Sequence, residues 1–345
     1  MTPQPIFDGH NDLLSCLLRE RDPTGRSFHT GRPGGQIDLA RARAGGLAGG
    51  FFAIWAPNDP TNSPDPSAAA RHFPAIDAAG ARAATFAQAE IFAALCASRP
   101  EVIRACTSTA DIRRARAEGV IAAVLHLEGA EAIGPDLQEL HQLHALGLRS
   151  LGPVWSRPNI FGHGVPFVFP SSPDTGPGLT ETGKRLVAEC EALGILIDLA
   201  HLNEAGFRDV AALSQRPLVS THSAAHALCP ASRNLTDRQL AAMAETGGLV
   251  GLNFGVAFLR ADGARNPDTA PEVMLRHLDH LIGILGEGGV ALGSDLDGTT
   301  MPAFLRDAAG LPLLVRAMER AGYGEALIRQ LCWDNWTAML ARQIA

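Results

Sequence analysis

Eight short apolar runs punctuate the 345-residue chain, and their rhythm limits the folds open to it. They are Ile6 to Asp12, Leu47 to Trp55, Gly119 to Glu128, Leu148 to Trp155, Gly194 to His201, Pro217 to His222, Gly247 to Phe254 and Val290 to Asp297. Runs this continuous suit strands buried on both faces, as in parallel sheets. Helical stretches lie between most of them. Pro135 to Leu146 carries leucines near helical spacing and stops at Gly147. Thr180 opens a helix stopped at Gly194, Thr236 opens another, and Glu272 to Leu285 is a third clear case. Eightfold strand–helix alternation predicts an α/β fold of the (β/α)8 TIM-barrel type over two doubly wound domains. The lack of a G-x-G-x-x-G after a strand lowers the dinucleotide-binding alternative.

Length alone, at about 150 residues per domain, would suggest two domains. The strand count instead makes residues 1–345 one barrel, enlarged by insertions after strands 2 and 4. Asn58 to Glu118 holds an Ala-rich helix around Ser67 to Ser98. Asn159 to Leu179 is rich in Gly, Pro and Phe, lacks periodicity, and in a barrel would cover the active-site face. A net charge of −7 with no basic block argues against nucleic acid as a partner. The sequence has no run long and apolar enough for a membrane span and no visible secretory signal. The six scattered cysteines contain no C-x-x-C pair and read as reduced thiols, which fits a cytoplasmic location.

Polar residues gather where the apolar runs end. His10 and Asp12 close the first run, Glu128 the third, His201 the fifth, His222 the sixth, and Asp295 with Asp297 the eighth. A barrel builds its active site at these strand ends. Three histidines with Asp12 and Glu128 form a donor set for divalent metal. Five donors exceed the needs of one tetrahedral zinc with an open position, but two ions sharing a carboxylate would use them all, with Glu128 the natural bridge. Asp295 is then free to exchange protons. His126 and Asp198 read as hydrogen-bonded residues behind the donors. His29, His72, His141, His144, His277 and His280 read as solvated or packing residues.

Together the stretches D-G-H-N-D-L at Asp8, H-L-E-G-A at His126, G-L-R-S-L at Gly147, I-D-L-A-H at Ile197, T-H-S-A-A-H-A-L-C-P-A-S-R-N at Thr221 and L-G-S-D-L-D-G at Leu292 resemble the membrane (renal) dipeptidase family of zinc peptidases, within the amidohydrolase-like barrels. The resemblance spans nearly the whole chain. It implies hydrolysis of dipeptides, including those with a C-terminal D-residue, at two zinc ions per chain. His10, Asp12 and Glu128 would hold one ion, and Glu128, His201 and His222 the other. It also implies Asp295 as catalytic acid/base, and Arg233, beside Asn234, as the anchor for the substrate carboxylate, a task suited to a planar guanidinium fork. One departure stands out. The family places a histidine that helps bind the oxyanion where this chain has Trp155. Arg157 or His163 is the candidate replacement. A related amidohydrolase acting on an N-acyl amino acid or a β-lactam is the second reading. A metal-binding barrel without turnover is the third, against which Asp295 argues. The sequence leaves the oligomeric state open, a homodimer being common in such enzymes.

Overall fold

The computed structural model describes residues 3–344 except 62–63 and 65–69. All eight apolar runs contain a strand, and the strands are numbered here in chain order: β1 Ile6–Asn11, β2 Leu47–Trp55, β3 Ile121–Glu128, β4 Leu148–Gly152, β5 Leu196–Ile197, β6 Val219–Ser223, β7 Leu249–Leu252 and β8 Val290–Leu292. β1 to β5 pair in sequence order in one parallel sheet, to which the short strand Ile103–Ala105 adds by pairing with β3 off this path, and β6 to β8 form a second. Single parallel bridges join the two sheets at both margins, Asn11 to Leu296 and Asp198 to Val219. The first and last strands are also latched through a side chain. The buried Asp8 carboxylate accepts from the Ser294 backbone N–H and hydroxyl, each at 2.7 Å.

The strands are shorter than the apolar runs that announce them. β5 covers two residues of Gly194 to His201, because the Asp198 carboxylate turns the chain by accepting from Ala200 N–H. β4 stops at Gly152, three residues before Trp155. Helix boundaries follow cap chemistry. Thr180 accepts from Gly183 N–H and opens Glu181–Ala192. Thr236 and Gln239 form a reciprocal capping box that opens Asp237–Glu245. Between β2 and β3 the long helix begins at Ala78 rather than near Ser67. Asp77 caps it by accepting from Gly80 N–H, and Ala70–Arg71 upstream is extended. Ser67 itself lies outside the described residues. Ala70–Arg71 pairs antiparallel with Phe167–Val168, so the segment after β2 and the segment after β4 meet.

Two apolar cores result. The larger fills the space between strands and helices. The smaller lies against the strands' other side and collects Phe7, Phe51, Val124, Val219, Leu249 and Ala291 around Trp336 from the C-terminal helix Asn335–Gln343. Trp336 is fully buried, and its indole N–H donates to Leu292 O at 2.8 Å. Side chains at Gly9 and Gly251 would collide with Thr221 O and with the Trp336 ring, so these positions are bare to admit it. Replacing Trp336 with alanine is expected to cost about 3–5 kcal/mol of stability, the range for deleting a buried large aromatic. Chemical denaturation would read the loss, and an unchanged unfolding midpoint would refute a stabilising role for Trp336 in the smaller core.

Candidate metal centre and its cavity

Five strands and the turns that follow them deliver six polar side chains to one point. Glu128, the last residue of β3, puts Oε1 2.8 Å from His201 Nε2, 3.4 Å from His222 Nε2 and 3.7 Å from His10 Nε2. Asp12 Oδ2 is 3.6 Å from His10 Nε2. His10, Asp12 and Asp295 offer ligand atoms within 4.8 Å of one another, as do His10, Glu128 and His222. The register of β1 against β2 slips between Asp8 and Asn11, bracketing His10. His201 and Asp295 sit in left-handed backbone, φ 68° and 61°, past the ends of β5 and β8. Such conformations cost about 1–3 kcal/mol at non-glycine residues and persist where the surroundings over-determine them.

Neighbouring residues orient these donors. Ser156 Oγ is 2.7 Å from His201 Nδ1. Thr221 Oγ1 is 2.8 Å from His222 Nδ1 and donates to Asp198 Oδ2 at 2.7 Å. Outer partners of this kind fix the tautomer and ring direction of a ligating histidine. His126 sits behind, its Nδ1 2.8 Å from Ser150 Oγ. Asp198 and His126 thus occupy the supporting layer that their strand positions suggest.

The electrostatics show what the cluster lacks. Burial, then the neighbouring His10, pushes His222 well below the ordinary histidine range. Burial, then Arg233, does the same for His201. Both are therefore neutral, as metal ligands must be. Burial also pushes Glu128 well above the usual carboxylate range. Burial and the Asp12 charge push Asp295 up to about 7. Burial would lower His10, but the Glu128 and Asp12 carboxylates outweigh it and push His10 up to about 10. Both His10 ring nitrogens are buried without a hydrogen-bond partner. Buried, acceptor-rich and short of positive charge, the set fits divalent cations held by nitrogen and oxygen donors.

The cluster opens into a cavity of about 420 Å³. Asp12, Glu128, Asp295 and Asp297 line it, together with Arg19, Arg71, Arg233 and Arg265. Arg233 is buried and held by Ser223 Oγ and His222 O, each at 2.9 Å. Trp155 lines the cavity with Trp55, Phe73 and Phe167, its ring 4.6 Å from Phe73 and 5.8 Å from His201 between centroids. Three expectations need correction. His163 does not line the cavity, because its Nδ1 turns 3.5 Å from Gly178 O. Asn234 points away and donates to Cys229 O and Phe258 O, shaping the loop that carries Arg233. Arg157 is consumed by Glu131, Asn58 and Ala56 O and is not available as an oxyanion donor.

Asn253, just beyond β7, escaped the sequence reading although it donates to Asp295 Oδ2 at 2.9 Å. It is a polar residue inside the seventh apolar run, and the rule that found the other strand-end groups would have found it. Arg32 escaped for a different reason, since it lies far away in sequence. Its buried guanidinium pairs with Asp297 Oδ2 at 2.5 Å and with Glu20 at 2.7 Å, while Gln36 N–H donates to Asp297 Oδ1 at 2.8 Å. This clamp fixes the left-handed turn through Asp295 and Asp297. A Cβ on the adjacent Gly298 would run into both Asp12 and Asp295.

Parallel strands that bring buried imidazoles and carboxylates to one cavity are the arrangement of a metal-dependent hydrolase. The model of the membrane dipeptidase family, peptidase family M19, matches residues 1–343, and the chain belongs to that family. It is a metallo-dipeptidase. A metallo peptidase from Rhodobacter sphaeroides, solved with a phosphinate mimic of the dipeptide L-Ala-D-Ala, is 50% identical, with a TM-score of 0.95 over 99% of this chain and 100% of that one. Dipeptidase AC, a metallo peptidase of family M19, is 52% identical, with a TM-score of 0.93 over 100% and 99%. A Klebsiella pneumoniae protein encoded in the pqqA 5′ region is 50% identical over 69% of this chain and 88% of its own length. Among the described residues no helix is long and apolar enough to cross a membrane.

Replacing Arg32 with alanine unpairs the buried Asp297 carboxylate and frees the turn. The expected result is a fall in kcat of about tenfold to a hundredfold, the scale of a small misplacement of a reacting group. KM and metal content should change far less. Steady-state kinetics with metal analysis and a melting curve would check this. Full kcat in a folded Arg32→Ala protein would remove the clamp from catalysis.

Proposed function

We propose that this chain hydrolyses free dipeptides at two zinc ions bridged by Glu128. His10 and Asp12 complete one site, and His201 and His222 complete the other. The observation that carries this reading is the approach of three histidine Nε2 atoms to a single Glu128 oxygen, at 2.8, 3.4 and 3.7 Å. The eight parallel strands with two bridged margins are, in this reading, a (β/α)8 barrel enlarged after strands 2 and 4. When bound, the ions supply Lewis acidity that polarises a carbonyl and lowers the pKa of water.

The protein's own groups do the rest. The Arg233 guanidinium takes the α-carboxylate of the C-terminal residue, which limits substrates to short peptides with a free end. Asp295, steadied by Asn253, receives the proton of the attacking water and delivers it to the leaving amine. Its position between aqueous carboxylate and neutrality suits it to both transfers. The wall of Trp55, Phe73, Trp155 and Phe167 excludes water around the scissile bond. Trp155 in place of an imidazole supplies an apolar face and one N–H donor, so the wall contributes shape more than charge. The phosphinate mimic of L-Ala-D-Ala on the Rhodobacter sphaeroides relative supports L,D-dipeptides as substrates here.

Two outcomes are expected. Asp295→Asn keeps both metals and loses about 10²–10⁴ in kcat, the usual share of general acid–base catalysis. Near-normal turnover would remove Asp295 from proton transfer. Glu128→Gln loses bound metal, seen as fewer than two ions per chain by elemental analysis. Two tightly held ions in that variant would refute the bridge.

A further inference from the structure

Arg157 is buried beside the cavity, and the chemistry above leaves its charge without a task. Its Nε donates to Glu131 Oε1, and its two terminal nitrogens donate to Asn58 Oδ1 and Ala56 O, each at 2.7 Å. Ala56 and Asn58 follow β2, Glu131 follows β3, and Arg157 itself follows β4. One side chain therefore joins three neighbouring strand-end segments. The guanidinium carbon lies 5.0 Å from the Trp155 centroid and 5.6 Å from that of Trp55, so the cation also backs two residues of the cavity wall.

The loop that Arg157 anchors is the loop that holds His201. Ser156, one residue earlier, places Oγ 2.7 Å from His201 Nδ1. Val165, where the loop returns, donates its N–H to His201 O at 2.7 Å. The two ends of the loop meet at Gly164, whose N–H donates to Arg157 O at 3.2 Å. A Cβ on Gly164 would run into Trp155 O, so this close return needs glycine. The ring and the carbonyl of His201 are thus both fixed by one loop. A non-glycine residue in left-handed backbone requires such support. With Nδ1 donating to Ser156, Nε2 keeps its lone pair toward Glu128, whose Oε1 is 2.8 Å away.

The geometry points to Arg157 as a positioning residue for His201. By tying the loop after β4 to the segments after β2 and β3, it sets Ser156 against His201 Nδ1 and so fixes the affinity of the ion that His201 and His222 hold. This rests on the two-ion reading and adds the element that tunes one of its sites.

The test is metal binding, read without turnover. Arg157→Met alone would strand the buried Glu131 carboxylate, so it is combined with Glu131→Gln. Zinc competition against a chelator should show one ion weakened by about tenfold to a hundredfold in this double variant, the usual cost of losing an outer partner, with the other ion held as in the native protein. Ser156→Ala should weaken the same ion to a similar degree. Adding Ser156→Ala to the double variant should then change little further, because both routes act on one contact. In the cobalt-loaded protein the visible absorption bands should shift alike in both variants. Native zinc affinity in the double variant, equal weakening of both ions, or effects that multiply would each overturn the role. Should the double variant not fold, Asn58→Ala decides, since it cuts one tie without stranding a charge. It should weaken the same ion severalfold, and native affinity there would overturn the role. Fewer than two ions in the native protein would instead overturn the two-ion reading.

Discussion

The structure turns on a concentration of buried negative charge and lone pairs around Glu128. Burial strips away much of the water that would otherwise solvate Asp12 and Glu128. The Glu128 and Asp12 carboxylates draw positive charge toward His10, which is why that imidazole is pushed up to about 10. Divalent cations offset that negative charge, so metal binding and order at the strand ends are one thermodynamic problem. Features remote from the cluster make sense as supports for it. Asp8 latches the first strand to the last. Asp198 and Thr221 aim His222, and Arg32 removes Asp297 from the pool of competing carboxylates by pairing with it.

Much of this was legible from residue order. Near-continuous apolar runs mark strands covered on both sides, and each of the eight contains one. The ends of those runs named the six residues that meet around His10 and Glu128, because strand ends in a parallel sheet share one edge. What stayed hidden was set by tertiary placement. Arg32 reaches Asp297 across 265 residues, and no local pattern announces such a pair. His163 and Asn234 were expected at the substrate because they adjoin residues with good warrant. Backbone carbonyls claim both, an outcome that depends on loop geometry alone. The helix after β2 starts at Ala78 because a capping aspartate decides the boundary. Alanine content, which extends well upstream, does not.

The cavity divides its labour by charge. Its lining mixes carboxylates, suited to holding cations and moving protons, with arginines suited to receiving anions. A zwitterionic substrate would be oriented by such a mixed field, since its ammonium is drawn to the carboxylates and its carboxylate to the arginines. The aromatic residues of the lining contribute no net charge. They lower the local polarity, and that lengthens the reach of both signs of charge.

Trp336 gives the fold an order of assembly. The concave core surrounds a side chain from the last long helix, while the strands it supports belong to every earlier part of the chain. A ribosome releases those strands first, and their inner faces stay unfilled until the C-terminal helix emerges. The strand ends above that core, and with them the donor set, reach their final spacing only then. In a growing chain, any ion that these donors hold would therefore be captured late, after the helix that carries Trp336 has formed.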